Sequence, residues 1–379
     1  MSDTPSQSPL PPPEPLPQKH SKQSSYSLVE LLSKNIITAI SLTVTANRWR
    51  VVVVDQPSLK IISNALKMHA ILEQNVMAVQ LITRTRQPYH DLDAIYVLVP
   101  CADSVLRMID DFTPDSYQQE DYQPKYAHAH LYFTGELPEE LFSQLISSPA
   151  APYIRNISEL FVEYNPFESR VFLTTPSEQP FYSLYSPHAK KSTTKDLDAA
   201  SDRLLSVIAT LGIHPYIRYY SPKETQKDSG NGDSKSSVPR ISEAMAHRLQ
   251  LKLDSYYSHE SSKNGNGSAS PGPQKDHGPP SVVLVLDRSV DLYAPLVHEL
   301  TYQAMVYDLV NLEDGNKYVY TTKTNDGQFN QVEAELSEKA DPLWDKLRHE
   351  HVGSVARILA ERLERLIEGS TGIKALNSG

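Results

Sequence analysis

From Arg50 onward, short apolar runs alternate with helical patterns, and this alternation narrows the fold more than any other feature of the chain. "RVVVVD" (50–55) reads as a strand and leads into a helical pattern over 58–72. "VMAVQLI" reads as a second strand, and "DAIYVLVP" as a third, followed by the helix "ADSVLRMIDDF". "AHLYFT" is a fourth, followed by the helix "PEELFSQLISS". Apolar strands separated by helices predict an α/β unit, with a parallel sheet covered on both faces. Ligands of such folds sit beyond the carboxyl ends of the strands. The turn after Asp55 is therefore the first place to look for chemistry.

That turn is not built for a phosphate. Backbone amides wrap a phosphate where glycine allows unusual dihedrals and close approach. The first glycine of the chain is Gly135, so the first 134 residues contain none. "DQPSLK" also puts a proline where a phosphate loop needs a donor, which excludes a dinucleotide fingerprint and a Walker loop. A phosphorelay receiver would need an aspartate at the end of the third strand, and Pro100 stands there, with Asp103 read as the N-cap of the next helix. His128 and His130 in "HAH" have no third ligand in view, and His349 and His351 are two apart on a helix. Asp287 and Asp291 of "LDRSVD" read as caps of the turn that follows. No catalytic, cofactor-binding or metal-binding constellation emerges.

Composition narrows the partners. The 379 residues carry a formal charge of −10, which argues against a large nucleic-acid groove. The lone cysteine, Cys101, rules out disulfides within the chain and points to a reducing compartment. The first 25 residues are rich in Pro and Ser and predict a disordered arm. No run approaches the ~20 apolar residues of a membrane-spanning helix. The reading is a cytoplasmic protein whose membrane contact is indirect.

Beyond the first unit (26–160), a second α/β region, 161–295, follows the strand-like "ELFVEYN". Its helices are read at "DLDAASDRLLSVIATL" and "RISEAMAHRLQLKL", with strands at "PYIRYY" and a buried "SVVLVLDRSVD". Polar segments 223–239 and 261–280 read as disordered loops. Residues 296–379 are mainly helical. Asp341 and Pro342 form an N-cap and first-turn pair, and Val352, Val355, Leu359, Leu363 and Leu366 make one apolar stripe.

On the helix after Asp55, Lys60, Asn64, Lys67 and Ile71 fall within about 40° of one another. Leu59, Ile62 and Leu66 face the sheet. The result is a basic stripe with an apolar end, and Arg84 and Arg86 follow the next strand. A solvated lysine face is the commoner meaning of such a stripe, and a docking surface for an acidic helical partner is the functional one.

These residues carry a family resemblance. "RVVVVDQPSLKIISNALKM", "FYSLYSPHAK", "LVLDRSVDLYAPLVHELTYQAMVYDL" and "DPLWDKLRHEHV" resemble, in order, segments of the Sec/Munc (SM) family, most closely its exocytic branch. The resemblance implies an arch of three domains: a glycine-poor α/β domain, a parallel-sheet α/β domain made of two separated pieces of chain, and a mainly helical domain inserted between them. It implies a non-enzymatic regulator of vesicle docking and fusion that binds a syntaxin (a Qa-SNARE) or an assembled SNARE complex. Recruitment to the plasma membrane would follow through those partners. Matching positions for the syntaxin helical bundle are Asp55, Lys60, Lys67 and Arg84, with Asp55 orienting the turn. Those for a syntaxin N-terminal peptide are Phe142, Ile154 and Glu159, although Phe142 reads equally as helix packing. Leu292 replaces the family's proline. Against family length, the chain is expected to lack a helical hairpin and the returning half of the second domain. An endosomal or vacuolar SM protein is one alternative, and a degenerate α/β enzyme is another.

Overall fold

The computed structural model describes residues 27–42, 48–113, 123–174, 180–186, 188, 190–221, 241–263, 281–313, 316–323, 329–338 and 340–376. The expected disordered arm and the loop 223–239 lie outside them, as does 264–280.

A five-stranded, all-parallel sheet forms the first unit, with β1 (Arg50–Val54), β2 (Val76–Leu81), β3 (Asp93–Leu98), β4 (Ala129–Phe133) and β5 (Ile154–Glu159) in the order β2-β1-β3-β4-β5. Alternate residues of a strand face opposite sides. Val52, Val54, Ile95 and Val97 accordingly enter one core, with α1 (Leu28–Leu42) and α2 (Gln56–Ala65). Val51, Val53, Tyr96 and Leu98 enter the other, with α4 (Ala102–Asp110) and α5 (Glu139–Ser147). α1 buries Leu32, Ile36 and Ile40 completely, at the four-residue spacing of one helix face.

Four expectations need correction here. The helix expected over 58–72 breaks: Leu66 and Lys67 are extended, and α3 (Met68–Leu72) starts anew. Ile71, placed at the end of the basic stripe, is a core residue, 1% exposed. The strand expected at "ELFVEYN" ends at Glu159, because β5 runs over the more polar "IRNISE". Asp103 lies inside the first turn of α4 and pairs with Arg107 (2.9 Å), while Cys101 occupies the N-cap.

An antiparallel hairpin follows, β6 (Asn165–Glu168) and β7 (Val171–Leu173), then α6 (Pro180–Tyr185) and α7 (Lys190–Leu211). α7 packs Leu205 and Ile208 against Leu249 and Leu253 of α8 (Ile241–Lys263). α8 thus extends into the segment expected to be a disordered loop from 261. β8 (Tyr216–Tyr219) and β9 (Val282–Val285) pair in parallel. β9 is not the buried strand expected: Val282 and Leu284 are 57% and 61% exposed, because β8 is its only partner among the described residues.

The last segment holds α9 (Tyr302–Leu309), a hairpin of β10 (Lys317–Lys323) and β11 (Phe329–Glu335), α10 (Pro342–Leu347) and α11 (Val352–Leu376). The hairpin was not expected in a helical region. Asp341 does cap α10, accepting from Leu343 N at 2.8 Å. Trp344 is buried beneath Tyr302 and Tyr307.

Candidate partner-binding surface

The strand order reverses between β1 and β3, so the ligand crevice of a doubly wound sheet should open between their carboxyl ends. Asp55 closes it. Its Oδ1 accepts from Ser58 N (2.9 Å), capping α2, and its Oδ2 accepts from Val99 N and Ser104 Oγ, both at 2.8 Å. A buried carboxylate therefore takes the helix N–H that a phosphate would use, and ties β1 to β3 and α4 across the switch point. Beside it, a Cβ on Gly135 would meet Glu163 Oε2 at 2.8 Å, so any other residue there would displace the Glu163 carboxylate. Burial raises the pKa of Glu163, and Arg203 of α7 lies 3.7 Å from its carboxylate.

The other titratable clusters have structural partners. Asp111 receives Arg86 Nη1 and Nη2 (2.7 and 2.9 Å), Tyr96 OH (2.8 Å) and Lys125 Nζ (2.7 Å). Burial alone would lower the Arg86 pKa, but the bond and charge of Asp111 hold it above the usual arginine value. His128 lies between Asp93 Oδ1 (2.9 Å from Nδ1) and Arg155 Nη2 (2.7 Å from Nε2). A guanidinium donating to Nε2 leaves Nδ1 to carry the proton, which occupies both nitrogens. Burial lowers the pKa of His130. Among the described residues no group of three His, Cys, Asp or Glu could hold a metal. Asp291 Oδ1 accepts from Tyr293 N and Ala294 N, capping its turn, and Asp287 accepts from Tyr185 OH.

Away from the crevice, a cleft of about 640 Å³ opens along the outer face of α2. One wall is Gln56, Leu59, Lys60, Ser63 and Asn64 of α2 with β6, to which Asn64 Nδ2 is tied by Asn165 Oδ1 at 2.5 Å. The facing wall comes from the third region, with Asn316, Lys317, Glu335, Ser337 and Glu338. Lys60 lines the cleft, whereas Lys67 and Arg84 are exposed outside it and Asp55 is buried beneath. Arg86 belongs to the buried Asp111 cluster and is no part of a docking stripe.

The second trio is spread over one flank. Phe142 is 37% exposed and Ile146 55%, while their neighbours Leu141 and Leu145 pack into the core. Phe142 is therefore not the residue that seats α5 on the sheet. Ile154 opens β5 and is half-buried against the core. Glu159 ends the strand, roughly 17 Å away at ~3.3 Å per residue, and its Oε1 accepts from Leu137 N at 2.7 Å. Phe142 and Ile154 thus offer apolar surface, and Glu159 fixes the approach to α5.

The Sec1 family model matches residues 50–378. The chain belongs to the Sec1 family. Among curated relatives of this Sec1-family chain, "Protein transport protein sec1" of Dictyostelium discoideum is 32% identical over 90% of the chain and 52% of its own length. "SNARE-interacting protein KEULE" of Arabidopsis thaliana is 28% identical, over 84% of the chain and 44% of its own length. The chain thus spans about half the length of the relatives it matches. Among solved structures, the Unc18–syntaxin 1 complex from Monosiga brevicollis aligns with a TM-score of 0.69 at 29% identity, covering 90% of this chain and 54% of that one. The far wall of the cleft had no local signal in the sequence. It is assembled from segments that lie more than 100 residues from α2.

Proposed function

We propose that this Sec1-family chain is a non-enzymatic SM-type regulator of vesicle docking and fusion in exocytosis, and that it binds a syntaxin-type Qa-SNARE. The observation that carries the reading is its likeness, over 90% of its length, to a structure solved as an Unc18–syntaxin 1 complex. Further support is the crevice closed by Asp55, which leaves the outer cleft and its flanking bases as the accessible recognition surface. The exocytic assignment over a vacuolar one is supported by 25–32% identity to relatives named sec1 or Sec1, against 23% to "Vacuolar protein sorting-associated protein 45". No helix among the described residues is long and apolar enough to cross a membrane. Recruitment to the plasma membrane through the SNARE partner accords with that. The protein acts by differential affinity for partner conformations, closed or assembled.

Lys60, Lys67 and Arg84 meet acidic residues of the syntaxin helices. Lys60→Glu/Lys67→Glu is expected to weaken binding of a syntaxin cytoplasmic region about tenfold at low salt, with the gap narrowing as salt rises. Both side chains are exposed, so the melting temperature should hold. Calorimetry at two salt concentrations checks this, and equal affinities for variant and parent would sink the assignment.

Phe142 anchors the syntaxin N-terminal peptide, with Ile154 beside it and Glu159 facing a basic side chain. Phe142→Ala is expected to cost peptide binding about 2 kcal/mol, measured by fluorescence anisotropy, and to leave stability nearly unchanged. Unaltered peptide affinity in the folded variant removes Phe142 from the site.

A further inference from the structure

The two walls of the cleft are joined at one end by a compact polar knot. Arg348, at the C-cap of α10, donates from Nη2 to Glu338 Oε1 (2.5 Å) and places Nη1 3.3 Å from Glu168 Oε2. Glu338 also accepts from Ser169 N and Ser169 Oγ, both at 3.0 Å, in the turn between β6 and β7. Gln303 Nε2 of α9 donates to the other Glu168 oxygen (2.5 Å). The side chains of Arg348, Glu168 and Glu338 are only 11%, 11% and 21% exposed. Glu168 belongs to the α2–β6 wall and Glu338 to the facing wall, so one arginine is ion-paired with the carboxylate of the first and hydrogen-bonded to that of the second. Without that charge, two largely desolvated carboxylates would repel each other across the junction.

We propose that Arg348 is the pin of a clamp that sets the width of the cleft. It is a positioning residue that controls how well a helical partner fits without being the recognition surface itself. The clamp rests on the reading of the cleft as the partner's site, but its geometry can be tested without a partner. When Arg348 is lost, the repulsion between Glu168 and Glu338 pushes the third region away from α2. It is opposed only weakly by the Ser169–Glu338 and Gln303–Glu168 bonds and the Phe167–Tyr307 ring contact (centroids 6.1 Å apart), which act as a loose hinge. The apparent dissociation constant then rises by the reciprocal of the fraction of molecules held in the closed form.

The test is a distance measurement by pulsed electron paramagnetic resonance on the full chain. Cys101 is replaced by serine, and labels are placed at exposed Ser63 on α2 and exposed Gln331 on β11. The parent should give one narrow distribution, and Arg348→Met a broader one shifted to longer distance. Glu338→Gln should do the same more mildly, because its amide oxygen still accepts from Ser169 N. It also decides the matter if Arg348→Met does not fold. Affinity for a syntaxin cytoplasmic region should fall about tenfold in Arg348→Met, corresponding to one molecule in about ten remaining closed. Distributions that match the parent in the folded variants overturn the clamp. Wider distributions with unchanged affinity overturn its control of binding. A clamp that opens on a parent that binds no syntaxin leaves the device standing and removes the functional reading beneath it.

Discussion

Asp111→Ala is expected to lower stability by about 3–5 kcal/mol, read as a fall in the urea midpoint followed by circular dichroism. Asp111 is 1% exposed and receives two guanidinium nitrogens, a phenol and an ammonium group. Alanine would strand the buried Arg86 charge and the Tyr96 hydroxyl without the carboxylate they share. Burial and the neighbouring Asp111 charge both push the Tyr96 pKa well above its ordinary value, so Tyr96 remains a donor at neutral pH. Asp111→Asn should cost less, since its one carbonyl oxygen can keep part of the Arg86 fork. Adding Arg86→Met to Asp111→Ala should recover part of the loss, because the destabilising species is the unpaired cation. A loss under ~1 kcal/mol for Asp111→Ala would mean that Arg86 and Tyr96 regain acceptors when the carboxylate is gone, and that the cluster strands no charge.

This cluster also marks where the sequence stops being legible. The valines of β1 and the four-residue spacing of Leu32, Ile36 and Ile40 declare their elements locally, because burial on both faces or on one face leaves a direct imprint on the residue pattern. Arg86 and Asp111 are 25 residues apart and look like any exposed arginine and aspartate until the sheet brings them together. The break at Leu66–Lys67 is equally silent, because the apolar period runs through it and neither glycine nor proline marks it. β5 differs from the expected strand because Arg155, Asn156 and Ser158 are tolerated at the edge of the sheet, where one side has no neighbouring strand among the described residues. β9 misled in the opposite direction. "VVLV" is the composition of a buried strand, but burial depends on what covers it. For the candidate site, Lys60 was visible as a charge on a helix face, while the opposing Glu335 and Glu338 wall exists only through tertiary structure.

Asp55→Ala is expected to destabilise the first unit by about 3 kcal/mol, the second largest effect. Loss of the α2 cap accounts for roughly 1 kcal/mol. Each buried donor left without an acceptor, Val99 N and Ser104 Oγ, adds ~1 kcal/mol or more. Asp55→Asn separates structure from recognition. Its carbonyl oxygen can still cap Ser58 N, but its amide group would face the Val99 N–H donor, so a loss of about 1–2 kcal/mol is expected. Both oxygens of Asp55 point into the protein and the residue is 5% exposed, so the folded Asn variant should bind syntaxin within about threefold of the parent, less than the tenfold that 1.4 kcal/mol represents. Thermal denaturation and calorimetry on the same preparation check the pair of values. An Asn variant with parental stability and a large loss of affinity would place Asp55 in direct contact with the partner, and the turn would then have a second role besides closing the crevice.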